Sequence, residues 1–221
     1  GKGVDLHKIA FPTFVLEPRS ILERLTDFMA HPQLISKTSL KDNAVESFID
    51  VLKYFLSGWH IRPKGVKKPY NPVLGEIFRC RWKPLEQESG GIIDGSGAYF
   101  IAEQVSHHPP VSAYFYAYPE ANIVATGNFR PKSKFLGNSV MSLMNGTNYV
   151  YFLNRPGEEY IISNPNIYAR GILFGNMVME IGDTATIKCL KSDLIAEIDF
   201  KTKGFFGGGH NQICGKIRRI S

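Results

Sequence analysis

Cysteine is scarce in this chain: Cys80, Cys189 and Cys214 stand far apart among 221 residues. An odd count argues against a closed disulfide framework, and the spacing fits neither a zinc motif nor a redox motif. Long apolar runs are missing too. No stretch approaches the roughly 18 consecutive apolar residues of a membrane-spanning helix. The amino terminus lacks the basic, apolar and cleavage-site pattern of a signal peptide. Together these absences predict a cytosolic protein. No internal repeat and no low-complexity linker divides the chain.

The signatures of several reaction classes are absent as well. No G-x-S-x-G elbow occurs. Ser106 beside His107 is not a triad, because triad members converge in space through hydrogen bonds. Gly207-Gly208-Gly209 has no Lys-Ser/Thr after it, which excludes a P-loop and suggests a loop between strands. Glu103, His107 and His108 are close in sequence but lack the ligand spacing of a zinc site. The sequence therefore predicts no enzyme, no metal and no cofactor. Asn145-Gly146-Thr147 matches a glycosylation sequon, but in a chain of this kind it is expected to be a hairpin turn.

What is present fits one globular domain. The chain is 43% hydrophobic and 12% aromatic, enough for a sizeable core. Its net charge is +6, and the basic residues cluster: Arg62, Lys64, Lys67 and Lys68; Arg130, Lys132 and Lys134; Lys201 and Lys203; Lys216, Arg218 and Arg219. A solvated basic surface and an anionic partner both account for that pattern.

Two helices are expected first. Ser20 with Glu23 forms a capping-box pattern, followed by an apolar stripe of Ile21, Leu22, Leu25, Phe28 and Met29 that His31-Pro32 stops. A second helix starts near Asn43, with Glu46 three residues on. Its buried face is Val45, Phe48, Leu52, Phe55, Leu56 and Trp59, and Gly58 weakens its end. After Arg62 short β-branched and aromatic segments alternate with Gly, Pro, Asn and Asp turns. Strands are predicted at 74–82, 98–105, 111–118, 122–130, 139–143, 147–153, 159–163, 167–174, 176–181, 184–191, 194–200 and 211–219. Few helical patterns separate them, so the sheet should be largely antiparallel. The predicted fold is mainly β (α+β), two helices followed by a strongly curved sheet or incomplete barrel, with a sandwich as competitor.

One segment carries more information than the rest: Glu103-Gln104-Val105-Ser106-His107-His108-Pro109-Pro110. A residue before proline is held extended, and neighbouring side chains on a regular strand point to opposite faces. Two adjacent imidazoles act on one ligand only if the strand ends or bends there. By themselves they fit a hydrogen-bonded pair at a turn better than a ligand site.

The octapeptide resembles the fingerprint of the oxysterol-binding-protein-related lipid transfer family. Lys67-Lys68-Pro69-Tyr70-Asn71-Pro72-Val73-Leu74-Gly75-Glu76 is similar to that family's other signature. Further similarity runs through Phe11-Pro12-Thr13-Phe14, Ser57-Gly58-Trp59-His60, Pro131 to Ser139, and Tyr168-Ala169-Arg170-Gly171-Ile172-Leu173, so it spans nearly the whole chain. The resemblance implies a sheet wrapped around a tunnel for one lipid, within a single lipid-binding domain over 1–221. Residues 1–14 would form the end of a lid that includes Leu6 and Ile9, with 18–60 helical and 62–221 barrel. The family's domain continues beyond this chain, so a carboxy-terminal segment with further head-group contacts is expected to be missing.

The resemblance also implies ligands. Phosphatidylinositol 4-phosphate would be met by Lys68, Asn71, His107 and His108: a point charge, an amide and two imidazoles suited to a phosphomonoester. The second cargo separates subfamilies. The blocks around Ser57, Gly65 and Lys134 are most similar to fungal phosphatidylserine exchangers, in which positions matching Thr13, Lys68, Asn71 and Ser133 lie near the serine head group. A sterol carrier, or a phosphoinositide sensor or tether without transfer, is the alternative. Expected partners are these two lipids and anionic membrane surfaces, with no nucleic acid. The expected location is cytoplasmic and peripheral, at contacts between endoplasmic reticulum and plasma membrane.

Overall fold

A computed structural model of the chain describes residues 15–61, 63, 65–83, 97–203 and 211–221. It begins with strand β1 (Leu16–Ser20), then a short helix α1 (Ile21–Arg24) that tightens into a 3-10 turn over Leu25–Met29. The predicted first helix is thus barely one α-helical turn, and the Ser20 side chain makes no cap hydrogen bond. Arg19 instead pairs with Asp27 at 2.8 Å and Arg24 with Glu17 at 3.2 Å, an ionic cluster that ties β1 to the helical turns after it. The second helix, α2 (Ala44–Ser57), is capped as expected. The Asn43 side chain accepts hydrogen bonds from the backbone N–H groups of Val45 and Glu46. Phe48, Val51 and Phe55 are buried, whereas Val45, expected on the buried face, is exposed. Trp59, just beyond α2, packs its ring against Phe28, Phe55 and Phe200, joining the helical layer to the sheet.

The sheet layer follows: β2 (Lys68–Tyr70), β3 (Ile77–Trp82), β4 (Ala98–His107), β5 (Pro110–Tyr118), β6 (Ile123–Phe135), β7 (Ser139–Asn145) and β8 (Asn148–Phe152). Then come β9 (Glu159–Ile162), β10 (Asn166–Arg170), β11 (Val178–Cys189), β12 (Leu194–Lys201) and β13 (Gln212–Arg219). β1 and β2, neither expected from the sequence, pair in parallel. β3 to β13 form one sheet in which every pairing is antiparallel.

The eleven strands behave as nine. Phe135 pairs with Val140 and Gly127 with Asn148 along one continuous register, so β7 and β8 are two halves of a single partner of β6. Asn145-Gly146-Thr147 is therefore not a hairpin turn but a kink within that partner. Gly146 is needed there: its φ is 132°, and an added Cβ would stand 2.0 Å from the Asn128 carbonyl oxygen. β9 and β10 likewise form one broken strand. Ile162 faces Asn148 and Ile187, whereas Ile167 faces Ser142 and Ile181, so this strand crosses the break with one residue fewer than either neighbour. Such a mismatch bends a sheet. β11 runs through its own kink at Asp183, where φ is 70°; the separate strands predicted at 176–181 and 184–191 are one. The kinks align across Asn128, Gly146, Asn164-Pro165 and Asp183, making a crease. Beyond the crease lies a flap made of the ends of β6 and β11 with β7 and β10.

Among the described residues the result is a nine-strand meander, strongly curved, with β3 and β13 as its two edges. It is the incomplete barrel expected, not a sandwich. The core lies between α2 with its 3-10 neighbours and the concave face, centred on Phe48, Val51, Tyr116, Tyr160, Ile187 and Ile198.

Candidate head-group rim and apolar cavity

β4 alternates cleanly, with Ala98, Phe100, Ala102 and Gln104 buried. A bulge then interrupts its pairing with β5: Gln104 faces Ser112, Ser106 faces Val111 and His107 faces Pro110. Directly paired residues share a face, and Pro110 and Ser112 share one by strand alternation. The extra residue therefore turns His107 to the same concave face as Gln104, which a regular strand would have denied it. His108 and Pro109 form the tip of the hairpin, and the two imidazoles lie 4.6 Å apart, edge to face. The strand both bends and ends at the histidine pair.

Gln104 holds this bulge together. Its side-chain amide donates to the Ser106 carbonyl at 2.9 Å, and its amide oxygen accepts from the buried Ser112 hydroxyl. Its backbone does as much, accepting from Gly75 N–H at 2.9 Å and donating to the Glu76 carbonyl at 3.0 Å. The loop 71–76 closes on itself where the Glu76 carboxylate accepts from Val73 N–H at 3.1 Å. Docked in this way, it sets the Pro72 carbonyl 3.1 Å from His107 Nδ1. A carbonyl only accepts, so Nδ1 carries the proton in this contact.

Two segments more than thirty residues apart in sequence thus form one rim. Asn71, exposed, is adjacent to the Pro72 contact. Lys68, exposed on β2, is three extended residues upstream, about 10 Å of chain. His107 is half-buried and His108 exposed. Ser133 pairs with Ser142 on the flap. The β5–β6 register, continued from Ser112 opposite Phe129, sets position 131 level with Pro110, so Ser133 is at the same end of the sheet as the histidines. Thr13, Leu6 and Ile9 lie outside the described residues, as do Arg62, Lys64 and the Gly207-Gly208-Gly209 segment. Sequence reasoning missed Gln104; its signal was a polar residue at an inward position of an otherwise apolar alternation.

Gln104→Leu is expected to cost about 1–3 kcal/mol in stability by leaving buried polar partners unsatisfied, and to weaken any ligand that needs His107. Denaturant unfolding checks the first effect. A variant as stable as the parent would show that the amide does not hold the bulge.

Behind the rim is an apolar cavity of about 60 Å³, set inside the crease. Leu25, Phe28, Met29, Tyr54 and Phe55 line it from the helical side, and Tyr114, Phe129, Met144, Val150 and Ile162 from the sheet. Its polar atoms are arranged in a chain: the Tyr114 hydroxyl donates to Asn148 Oδ1 at 2.9 Å, and Asn148 Nδ2 donates to Asn164 Oδ1 at 3.1 Å. Burial pushes the Tyr114 phenol well above its ordinary value, so it remains a donor. Phe129 is paired with Ser112, which puts this wall two residues from the rim.

The basic clusters differ in their surroundings. Lys216 and Arg218 reach across to Glu197 at 3.1 and 3.0 Å, and Arg218 then Lys216 hold that carboxyl below its ordinary value. Arg170 pairs with the buried Glu180 at 3.1 Å. Arg130, Lys132 and Lys134 instead follow one another along β6, with both lysines exposed.

The family model for oxysterol-binding protein matches residues 2–221. Among similar proteins, an oxysterol-binding protein homolog of Schizosaccharomyces pombe is 50% identical over 99% of this chain and 46% of its own length. Oxysterol-binding protein homolog 7 of Saccharomyces cerevisiae is 45% identical, covering 98% of this chain and 48% of that one. The chain spans about half the length of these fungal relatives. Among solved structures, the Osh3 ORD of Saccharomyces cerevisiae in complex with PI(4)P superposes with a TM-score of 0.75 at 26% identity, covering 96% of this chain and 53% of that one. The Osh1 ORD domain in complex with ergosterol does so with a TM-score of 0.75 at 28% identity, covering 91% and 46%. The paired rim motifs, the curved meander and these likenesses agree: the chain belongs to the oxysterol-binding protein family.

Proposed function

We propose that this chain is the lipid-binding part of a non-vesicular lipid transfer protein that exchanges phosphatidylserine for phosphatidylinositol 4-phosphate between membranes. The observation that carries the reading is the Pro72–His107 contact, which joins both motifs in one rim above an apolar cavity. At that rim Lys68, Asn71, His107 and His108 meet the 4-phosphate through charge-assisted hydrogen bonds, about twice as strong as neutral ones. Lys68, Asn71, Ser133 and Thr13 serve the phosphatidylserine head group. A lid over 1–14, including Leu6 and Ile9, closes the mouth, and 1–221 acts as one lipid-binding unit. The relative solved with PI(4)P supports the first ligand, and those solved with ergosterol and cholesterol favour a sterol as the competing second cargo.

The physical need for such a protein lies in the acyl chains. Each buried methylene is worth about 0.8 kcal/mol, so two chains of about sixteen carbons resist entering water by something on the order of 20 kcal/mol. The cavity of about 60 Å³ is far smaller than the roughly 300–1,000 Å³ of ordinary ligand sites. Loading therefore requires the helical layer and the creased sheet to separate. A phosphoinositide gradient drives the serine lipid uphill when both compete for that space. Liposome extraction with the two lipids together tests the exchange; uptake of either with no displacement by the other would leave a sensor or tether.

The protein works from the cytoplasm, at contacts between endoplasmic reticulum and plasma membrane, and approaches anionic bilayers through its basic residues. Each Lys or Arg near the surface contributes about 1 kcal/mol, fading with salt. Flotation with liposomes is expected to weaken steadily across a salt series, and to be stronger with anionic than with neutral lipid. Binding indifferent to both would reduce the clusters to solubilising charge.

A further inference from the structure

Where the flap ends, two turns are fastened together by one side chain. Asn138 lies in the turn between β6 and β7. Its Oδ1 accepts from the N–H groups of Leu173 and Phe174, both at 2.9 Å, and its Nδ2 donates to the Phe174 carbonyl at 2.9 Å. Its own carbonyl accepts from Gly171 N–H at 2.9 Å. Gly171 has φ 70°, and an added Cβ would lie 2.3 Å from the Asn176 carbonyl oxygen, so the second turn depends on its absence. The clamp fixes a surface of an unusual kind. Phe174 is 77% exposed, Leu173 52% and Leu136 44%. Hydrogen bonds are thus spent on holding large apolar side chains out of the protein.

The exposed charge around this tip has one sign. Residues 130–145 and 164–182, which build the flap, contain Arg130, Lys132, Lys134 and Arg170, and their one acidic residue, the buried Glu180, is paired with Arg170. The tip lies at the same end of the sheet as the rim. Leu136 is five residues along β6 from position 131, level with Pro110, or about 16 Å at the rise of a strand. Val73 and Leu74, each 65% exposed, stand at that same end, beside the Gln104 dock.

We propose that the Asn138-clamped tip, Leu136 with Leu173 and Phe174, is a membrane anchor that inserts into the interfacial region of an anionic bilayer while Lys132 and Lys134 meet the lipid head groups. A bilayer fits where an aqueous protein surface does not: rigid apolar side chains enter the acyl boundary and a ring of cations faces the anions above it. Docked this way, the protein presents the histidine rim to the head-group layer. That choice of partner rests on the proposed lipid exchange, but the anchor has its own readout.

Vesicles of phosphatidylcholine containing one fifth phosphatidylserine provide the test. The double variant Leu173→Ser/Phe174→Ser is expected to lose about tenfold or more in partition to them. It should keep its affinity for a short-chain, water-soluble phosphatidylinositol 4-phosphate. Leu153→Ser, at the opposite end of β6, should change neither. An environment-sensitive fluorophore on Phe174→Cys, in a C80S/C214S background, should shift to the blue with the same vesicles, whereas one on Leu153→Cys should not. Unchanged partition of the double variant, or no shift at position 174, overturns the anchor. So does concentration-dependent self-association that the double variant abolishes in place of vesicle binding, which would give the tip to a second copy. A wild-type chain that ignores the soluble phosphoinositide while the tip effects persist would sink the head-group reading and leave the anchor standing.

Discussion

Replacing His107 and His108 together with alanine is expected to abolish phosphatidylinositol 4-phosphate binding and leave the fold intact. Each imidazole is at the hairpin end of β4 and β5, outside the buried core, so little packing is lost. Charge-assisted hydrogen bonds are worth roughly 1.5–3 kcal/mol each. Losing them weakens binding at least tenfold, and by considerably more if both act fully on one phosphate. The measurement is extraction of that lipid from liposomes, with thermal unfolding as a control. Unchanged extraction by a folded double variant would remove the histidines from the site. His107 should contribute more than its neighbour, because the Pro72 carbonyl fixes its tautomer and its direction.

The second large effect concerns cargo choice. Phosphatidylserine and phosphatidylinositol 4-phosphate are expected to compete for one cavity, and sterol is not. Two diacyl lipids share their tails, so a common apolar space accepts both while polar groups at the rim select the heads. Lys68 and Asn71 should matter to both ligands, whereas the histidine pair should matter mainly to the phosphomonoester. A sterol has one hydroxyl and a rigid ring body and calls for a differently shaped wall. Competition between fluorescent phosphatidylserine and fluorescent sterol decides it. Tight sterol binding displaced by the phosphoinositide, without phosphatidylserine binding, would assign this chain the other second cargo.

Much of the fold was legible in the sequence because its signals are local. Asn43 caps α2 as its spacing implied, and the alternation from Ala98 to Gln104 announced a half-buried strand. What escaped was geometry that several strands must agree on. Gly146, Pro165 and Asp183 each look like the end of a strand when read alone, because glycine, proline and a positive φ break ladders. In the sheet they fall on one line and bend three continuous strands, so six predicted segments are three. The first helix was overestimated for a similar reason. Its apolar stripe is real, yet after one α-helical turn the segment tightens into a 3-10 turn, with Arg19, Arg24, Glu17 and Asp27 paired across it.

The candidate site divides along the same boundary. His107, His108, Lys68 and Asn71 were identified by resemblance, and the condition that the strand must bend at the histidines followed from β geometry. The device that meets the condition did not. A bulge gated by a buried glutamine depends on Ser112, one strand away, and on a loop thirty residues upstream. The flap tip was hidden too, since Phe174 reads as core in any window of sequence and is revealed as exposed only by its clamp to Asn138.

Native mass spectrometry of the protein, after incubation with liposomes containing phosphatidylserine and phosphatidylinositol 4-phosphate, shows directly whether the histidine rim and the cavity behind it hold one diacyl lipid. A single lipid per chain, either of the two, is expected, with the phosphoinositide-bound species lost from the His107→Ala/His108→Ala variant while the phosphatidylserine-bound species persists. A chain that emerges without lipid, or a double variant that still carries the phosphoinositide, would contradict it.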